Sequence, residues 1–108
     1  MPTYNKLVRD RIPEIIEKSN KKFTSRLLTD AEYSSEIIKK MHEELAEYEA
    51  TATKEDAVEE LADLLELIHA AAAVHGTTFE ELKKIRVDKA KNRGGFDKRI
   101  FLIEVEDD

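Results

Sequence analysis

The chain has 108 residues, of which 41% are hydrophobic and 39% charged, with no cysteine and a formal net charge of −6. This length predicts one domain, and the composition favours a soluble helical protein over a disordered one. The lack of cysteine excludes disulfides and thiolate metal sites, and the acidic balance argues against general nucleic-acid binding. No apolar run is long enough to span a membrane and the N-terminus has no apolar signal segment, so we expect a cytoplasmic protein without membrane contact.

The first half of the chain predicts a short helix, a weak strand and a long helix. Arg11–Glu17 has proline in its first turn, where the missing N–H does no harm to a helix. Phe23–Leu28 is a plausible short extended segment. Thr29–Glu32 is a capping box that begins a long helix. Apolar residues then recur at steps of three and four residues and form a stripe on one face: Ile37, Ile38, Met41, Leu45 and Tyr48.

A second long helix is predicted after another capping sequence. It begins at Thr53–Asp56 and runs to about His75, where Gly76 suits the position after a helix C-terminus. From Leu64 to Val74 this helix is apolar on almost every side, which is typical of a helix buried on more than one face. In so short a chain, we expect a second subunit to provide the additional cover.

The last part of the chain predicts one more helix and one more strand. Thr77–Glu81 again has capping chemistry, and Gly94 and Gly95 end the helix that it starts. Arg99–Val105 is apolar and β-branched, which makes it the best strand candidate and a possible partner for Phe23–Leu28. We therefore expect a mainly α helical bundle with a short N-terminal helix, three longer helices and a small peripheral β element.

Charged residues are distributed unevenly along the chain. Residues 43–66 carry ten acids and one base, whereas residues 83–99 carry eight bases and two acids. A nucleotide–metal complex needs both an acidic block to hold cations and a basic block to meet phosphate. The two blocks could equally attract one another across a bundle or a dimer, since charge runs are usually solvated faces. Charge alone leaves both interpretations open.

Two pairs of carboxylates at helical spacing indicate a metal site. Glu44 and Glu47 are three residues apart on one predicted helix, and Glu60 and Asp63 are three apart on the next. Residues three apart share a helix face, and the residues between the pairs leave room for a turn between antiparallel helices. Clustered carboxylates repel one another unless a cation neutralises them, and hard oxygen ligands suit Mg²⁺ or Mn²⁺. The alternative is two solvent-exposed acidic faces without an ion.

The acidic pattern resembles that of a known superfamily. Glu43-Glu44-x-x-Glu47 followed by Glu60-x-x-Asp63 is similar to the metal-binding motif of the MazG-like all-α nucleoside triphosphate (NTP) pyrophosphohydrolases. These include dimeric dUTPases, dCTP pyrophosphatases and phosphoribosyl-ATP pyrophosphohydrolase. Residues 4–13 and residues 91–96 resemble one branch, the predicted house-cleaning NTP pyrophosphatases. The likeness covers nearly the whole chain and implies a single MazG-like domain, residues 1–108.

The resemblance implies an Mg²⁺-dependent enzyme, with Mn²⁺ as a possible substitute. Its reaction would be the attack of water on the α-phosphorus of a nucleoside triphosphate, yielding a nucleoside monophosphate and pyrophosphate. The implied metal ligands are Glu44, Glu47, Glu60 and Asp63. Glu43 is our candidate to position or deprotonate the water, although by projection it points away from the apolar stripe.

The resemblance also suggests residues that contact the phosphates, namely Lys89, Asn92 and Arg93. Lys6 and Arg9 would serve either the same triphosphate or a subunit contact. We expect a homo-oligomer, either a dimer or a dimer of dimers. Two other functions remain open, which are a phosphoribosyl-ATP pyrophosphohydrolase-like activity and a non-catalytic, cation-binding helical dimerisation module.

Overall fold

The computed structural model describes residues 2–107, and this part of the chain folds into four α-helices. They are α1 (Ile12–Lys18), α2 (Asp30–Glu49), α3 (Lys54–Val74) and α4 (Phe79–Arg93). Residues 50–53 join α2 to α3, which pack along one another, and α4 contacts α3. The predicted short helix followed by three longer helices is confirmed. None of the described helices combines the length and apolarity needed to cross a membrane.

Threonine caps begin the three longer helices, as the sequence predicts. The Thr29 hydroxyl accepts the backbone N–H of Glu32 at 3.3 Å, and the Glu32 carboxylate accepts the Thr29 N–H at 3.0 Å. The hydroxyls of Thr53 and Thr78 each accept the backbone N–H three residues later at 3.1 Å. These bonds satisfy N–H groups that lack a partner inside the helix. They therefore help to set where α2 and α3 begin, and so which faces their acidic side chains occupy.

Gly76 ends α3 and allows the chain to turn into α4. Its φ of +73° lies in the left-handed region, which glycine adopts without a steric penalty. The N–H of Thr77 donates to the carbonyl of Ala72 at 3.1 Å, the long hydrogen bond of a Schellman motif. Beyond the turn, the ring of His69 on α3 stacks on Phe79 of α4, with 3.5 Å between ring centroids. The turn and this stacked pair together fix α4 against α3.

The predicted β element is wrong for the described residues. Neither Phe23–Leu28 nor Arg99–Val105 forms a strand in residues 2–107. The side chains of Ile100 and Ile103 are 81% and 83% exposed, so the second segment does not lie against the helices. A β-branched, apolar sequence fits a pleated, half-buried surface but does not create one. Both segments lack the neighbouring strand that would accept and donate the ladder hydrogen bonds.

The helices bury little apolar surface within the described chain. Ile37 of α2 and Ala72 of α3 are its buried hydrophobic residues. The Cα radius of gyration is 18.5 Å, compared with about 13 Å for a compact domain of this length. Several apolar side chains instead face solvent, among them Ile38, Leu45 and Tyr48 on α2 and Val58, Leu61 and Leu65 on α3. The apolar stripe of α2 is thus buried at Ile37, whereas Ile38, Leu45 and Tyr48 of the same stripe are exposed to solvent.

Candidate metal centre

The α2–α3 seam brings together three of the four carboxylates predicted as metal ligands. Glu44 and Glu47 lie on α2 and Glu60 lies on α3, and one oxygen atom of each is within 4.8 Å of the other two. Oxygens bound to a single Mg²⁺ lie at most about 4.2 Å apart. Small side-chain rotations would therefore bring these oxygens to metal-binding distances. We call Glu44, Glu47 and Glu60 the acidic cluster.

Two oxygen atoms of the acidic cluster are buried without a partner. Glu44 is only 7% exposed, and its Oε2 atom forms no hydrogen bond with any described residue. The Oε2 atom of Glu60 is buried and unpaired in the same way. A carboxylate removed from water without a donor or a cation costs substantial free energy. The carboxylate donors and the two buried, unpaired oxygens of Glu44 and Glu60 fit a divalent cation; Glu47, the third donor, is exposed.

The environment of Glu44 opposes its ionisation. Burial, and then the neighbouring Glu60 and Glu47 carboxyls, raise the pKa of Glu44 from 4.5 to about 7. The Nζ atom of Lys40 lies 3.8 Å from Glu44 Oε1, yet this cation does not outweigh desolvation and the surrounding acids. A carboxyl perturbed by both burial and specific charged neighbours is typical of functional sites. Sequence reasoning missed Lys40, although its position four residues before Glu44 places both on one helix face.

The fourth predicted ligand, Asp63, forms an ion pair with the segment that precedes α1. Arg9 Nη2 donates to Asp63 Oδ1 at 2.6 Å, and Arg9 Nη1 lies 3.8 Å from Glu66 Oε1. Nearby, Lys6 Nζ donates to Glu43 Oε1 at 3.0 Å. The structure therefore places both N-terminal basic residues against acids of the α2 and α3 motifs. The motif spacing did not predict these pairings.

Glu43, predicted to position or deprotonate the attacking water, forms ion pairs with two lysines. The hydrogen bond from Lys6, reinforced by the charge of Lys40, holds the pKa of Glu43 below its usual value. Lys40 Nζ lies 4.0 Å from the same Oε1 atom that Lys6 contacts. A lowered pKa keeps Glu43 ionised but makes it a weaker base. Its role in handling water remains a prediction.

The three basic and amide side chains predicted to contact phosphate lie elsewhere. Lys89, Asn92 and Arg93 are exposed on the last turns of α4. Within residues 2–107, no hydrogen bond or ion pair links any of them to the acidic cluster. Cations at a helix C-terminus also interact favourably with the helix dipole, so their position alone does not require a ligand. Their contact with phosphate remains a prediction.

A comparison with known protein families finds a match over most of the chain. The profile of the phosphoribosyl-ATP pyrophosphohydrolase family matches residues 1–90. The chain belongs to this family. The phosphoribosyl-ATP pyrophosphohydrolase family is part of the MazG-like superfamily, so that resemblance is confirmed. The matched range contains the N-terminal pairings, the acidic cluster and Lys89, and it ends before Asn92 and Arg93.

One relative shares high similarity over part of the chain. An uncharacterized protein of Mycolicibacterium smegmatis is 45% identical over 53 residues. The match covers 49% of this chain and 54% of the relative, so the chain spans about half the length of that protein. No solved structure matches the chain.

Proposed function

We propose that this member of the phosphoribosyl-ATP pyrophosphohydrolase family hydrolyses nucleoside triphosphates to nucleoside monophosphates and pyrophosphate in an Mg²⁺-dependent reaction. The observation that carries this proposal is the acidic cluster, in which Glu44 and Glu60 each have a buried oxygen without a partner. The likeness of residues 4–13 and 91–96 to the house-cleaning branch favours modified nucleotides as substrates. Mn²⁺ is expected to replace Mg²⁺, because both accept hard oxygen ligands.

Each acidic residue has a defined part in the proposed reaction. Glu44, Glu47, Glu60 and Asp63 would hold the ion. When bound, Mg²⁺ neutralises phosphate charge and lowers the pKa of water. The water oxygen forms a bond to the α-phosphorus while the bond from that phosphorus to the oxygen bridging the β-phosphate breaks. Glu43 positions this water or accepts its proton, and pyrophosphate leaves.

Basic side chains would bind the polyphosphate. Lys89 and Arg93 are four residues apart and so share one face of α4, with Asn92 beside them. Arginine can bind phosphate through two parallel hydrogen bonds, which favours Arg93 for this role. Lys6 and Arg9 would add contacts from the N-terminal side, where they already lie next to the acids of α2 and α3.

Phosphoribosyl-ATP is a second candidate substrate, favoured by the family match over residues 1–90. Its hydrolysis also breaks the bond between the α- and β-phosphates, so the same acidic cluster would serve. The two substrates differ in the groups around the base and ribose. A direct comparison of rates is therefore needed to choose between them.

We also propose that the protein functions as a homo-oligomer, either a dimer or a dimer of dimers. Val58, Leu61 and Leu65 lie three and four residues apart on α3 and are 55%, 46% and 47% exposed. Soluble monomers rarely leave such contiguous apolar surface in water. The few residues buried within the described chain support the same proposal, because a small domain needs additional apolar burial to be stable. A second copy of this chain is our proposed partner for the exposed apolar surface of α3.

The deciding experiment is a substrate panel with Mg²⁺. Common and modified NTPs, their deoxy forms and phosphoribosyl-ATP are incubated with the protein, and monophosphate and pyrophosphate are scored separately from orthophosphate. We expect Glu44→Gln and Asp63→Asn to abolish turnover while the helical circular dichroism spectrum is retained. Glu49→Gln, which removes an exposed charge from α2, is the matched control. Full activity in both site variants would reject the site, and no hydrolysis of any substrate would favour the dimerisation module.

A further inference from the structure

The segment before α1 is attached to the helices mainly by side chains. Residues 2–11, here called the N-terminal arm, contain no helix or strand. Within the described chain, the backbone hydrogen bonds of the arm run only into α1, from Ile12 N–H to the Arg9 carbonyl and from Ile15 N–H to the Arg11 carbonyl. A segment held this way can separate from the rest of the fold at low cost.

Ion pairs hold the N-terminal arm across the α2–α3 seam, the two shortest from Lys6 and Arg9 and a longer one from Arg9 to Glu66 at 3.8 Å. Lys6 pairs with Glu43 of α2 at 3.0 Å, and Arg9 pairs with Asp63 of α3 at 2.6 Å. The side chains of Arg9 and Asp63 are 54% and 38% exposed. Ion pairs that are open to water are weak, and their partners exchange readily. Leu7, between the two cations, is only partly buried.

Arg9 occupies a carboxylate that the proposed metal site also needs. A divalent ion shared by Asp63 and the acidic cluster would compete with the single charge of Arg9 for the Asp63 oxygens. The ion would also neutralise the cluster and so weaken the attraction that holds Arg9 and Lys6 in place. A released guanidinium is well suited to bind a phosphate group through two hydrogen bonds.

We propose that the N-terminal arm is an exchangeable strap. Without a divalent ion, Arg9 neutralises Asp63 and holds the arm across the seam. Ion binding breaks this pair, and Arg9 then binds the polyphosphate of the substrate. This inference rests on the proposed function for its metal site, because it requires Asp63 to belong to that site, but it does not require turnover. Arg9 would therefore weaken binding of the ion but strengthen binding of the substrate.

Titration calorimetry on Arg9→Gln tests these opposite effects. Removal of the competing cation is expected to tighten Mg²⁺ binding by up to about fivefold, the range for an exposed ion pair. At saturating Mg²⁺, the same variant is expected to bind inorganic tripolyphosphate several-fold more weakly than the wild type. Arg11→Gln is the matched control, since Arg11 lies on the same arm but pairs with Glu14 of α1 at 3.3 Å. A purely structural role for Arg9 would not produce effects of opposite sign.

Limited trypsin digestion measures release of the arm without any substrate turnover. We expect Mg²⁺ to accelerate cleavage after Arg9 several-fold, and tripolyphosphate added with Mg²⁺ to slow it again. Cleavage after Lys98, which is exposed and lies outside the arm, provides the reference rate. The experiment uses the full chain, so the arm is tested in its own context.

The possible outcomes test the strap and the proposed function separately. Equal Mg²⁺ affinity in Arg9→Gln and wild type, with cleavage that does not depend on the ion, would overturn the strap while the nucleotide panel still decides the function. Weaker Mg²⁺ binding by Arg9→Gln, or none by the wild type, would also overturn it, because Arg9 would then not compete with an ion. Ion-dependent release without hydrolysis of any nucleotide would support the strap and reject the proposed function.

Discussion

Replacement of Glu44 by glutamine tests whether a buried carboxylate with one unpaired oxygen destabilises the metal-free protein. The pKa of Glu44 is raised from 4.5 to about 7 in the folded state, first by burial. Between these pH values the unfolded chain binds fewer protons than the folded one, so the free energy of unfolding falls as the pH rises and is lowest above pH 7. One pKa unit corresponds to about 1.4 kcal/mol, so the ionised side chain costs at most about 3 kcal/mol of stability.

Glutamine has nearly the same shape as glutamate but cannot ionise. Without a divalent ion, we therefore expect Glu44→Gln to be more stable than the wild type at pH 8 by up to about 3 kcal/mol, and by less than about 1 kcal/mol at pH 5. The measurement is guanidinium unfolding followed by circular dichroism, in EDTA and at one protein concentration. Mg²⁺ should then stabilise the wild type at pH 8 but not the variant, because the variant lacks one ligand of the ion.

Glu49→Gln supplies the control for the general loss of an acidic charge from α2. Glu49 is exposed and forms no ion pair within residues 2–107. This variant should follow the wild type at both pH values. Equal stabilisation by Glu44→Gln and Glu49→Gln at pH 8 would refute the reasoning, since the gain would then come from net charge rather than from a buried carboxyl.

Three further predictions concern other parts of the molecule. Arg93→Gln should raise the KM for the nucleotide without changing the Mg²⁺-induced rise in melting temperature, and an unchanged KM would remove Arg93 from the phosphate-binding set. Leu65→Asp should shift the protein to a smaller species in light scattering coupled to gel filtration, because a charge on an exposed apolar stripe opposes association; a wild type that is already monomeric would contradict this. Thr29→Ala should lower the free energy of unfolding by about 1 kcal/mol through loss of the α2 cap, measured by thermal denaturation.

Local chemistry was sufficient to predict the helices of the described chain. The hydroxyls of Thr29, Thr53 and Thr78 cap the helices that the sequence assigned to them, and Gly76 lies where α3 has to end. These features depend on residues within one turn of each other, so they can be recognised without knowledge of the rest of the fold. The same holds for Glu44 and Glu47, whose spacing alone puts them on neighbouring turns.

Tertiary structure decided which acidic residues lie together, which pair with cations and which are buried. The sequence predicted four carboxylates as metal ligands. Packing of α3 on α2 groups Glu60 with Glu44 and Glu47, while the N-terminal arm gives Asp63 a cation of its own. Burial also raises the pKa of Glu44, since desolvation depends on every atom packed around the carboxyl.

The strand prediction failed for a related reason, because a strand requires a partner that residue preferences do not supply. The sequence by itself therefore determined the helices, their ends and the faces on which their carboxylates lie, all of which depend on short-range hydrogen bonds and helical periodicity. Burial, ion pairing and strand pairing depend on contacts between residues distant in the chain, and only the folded arrangement decided them.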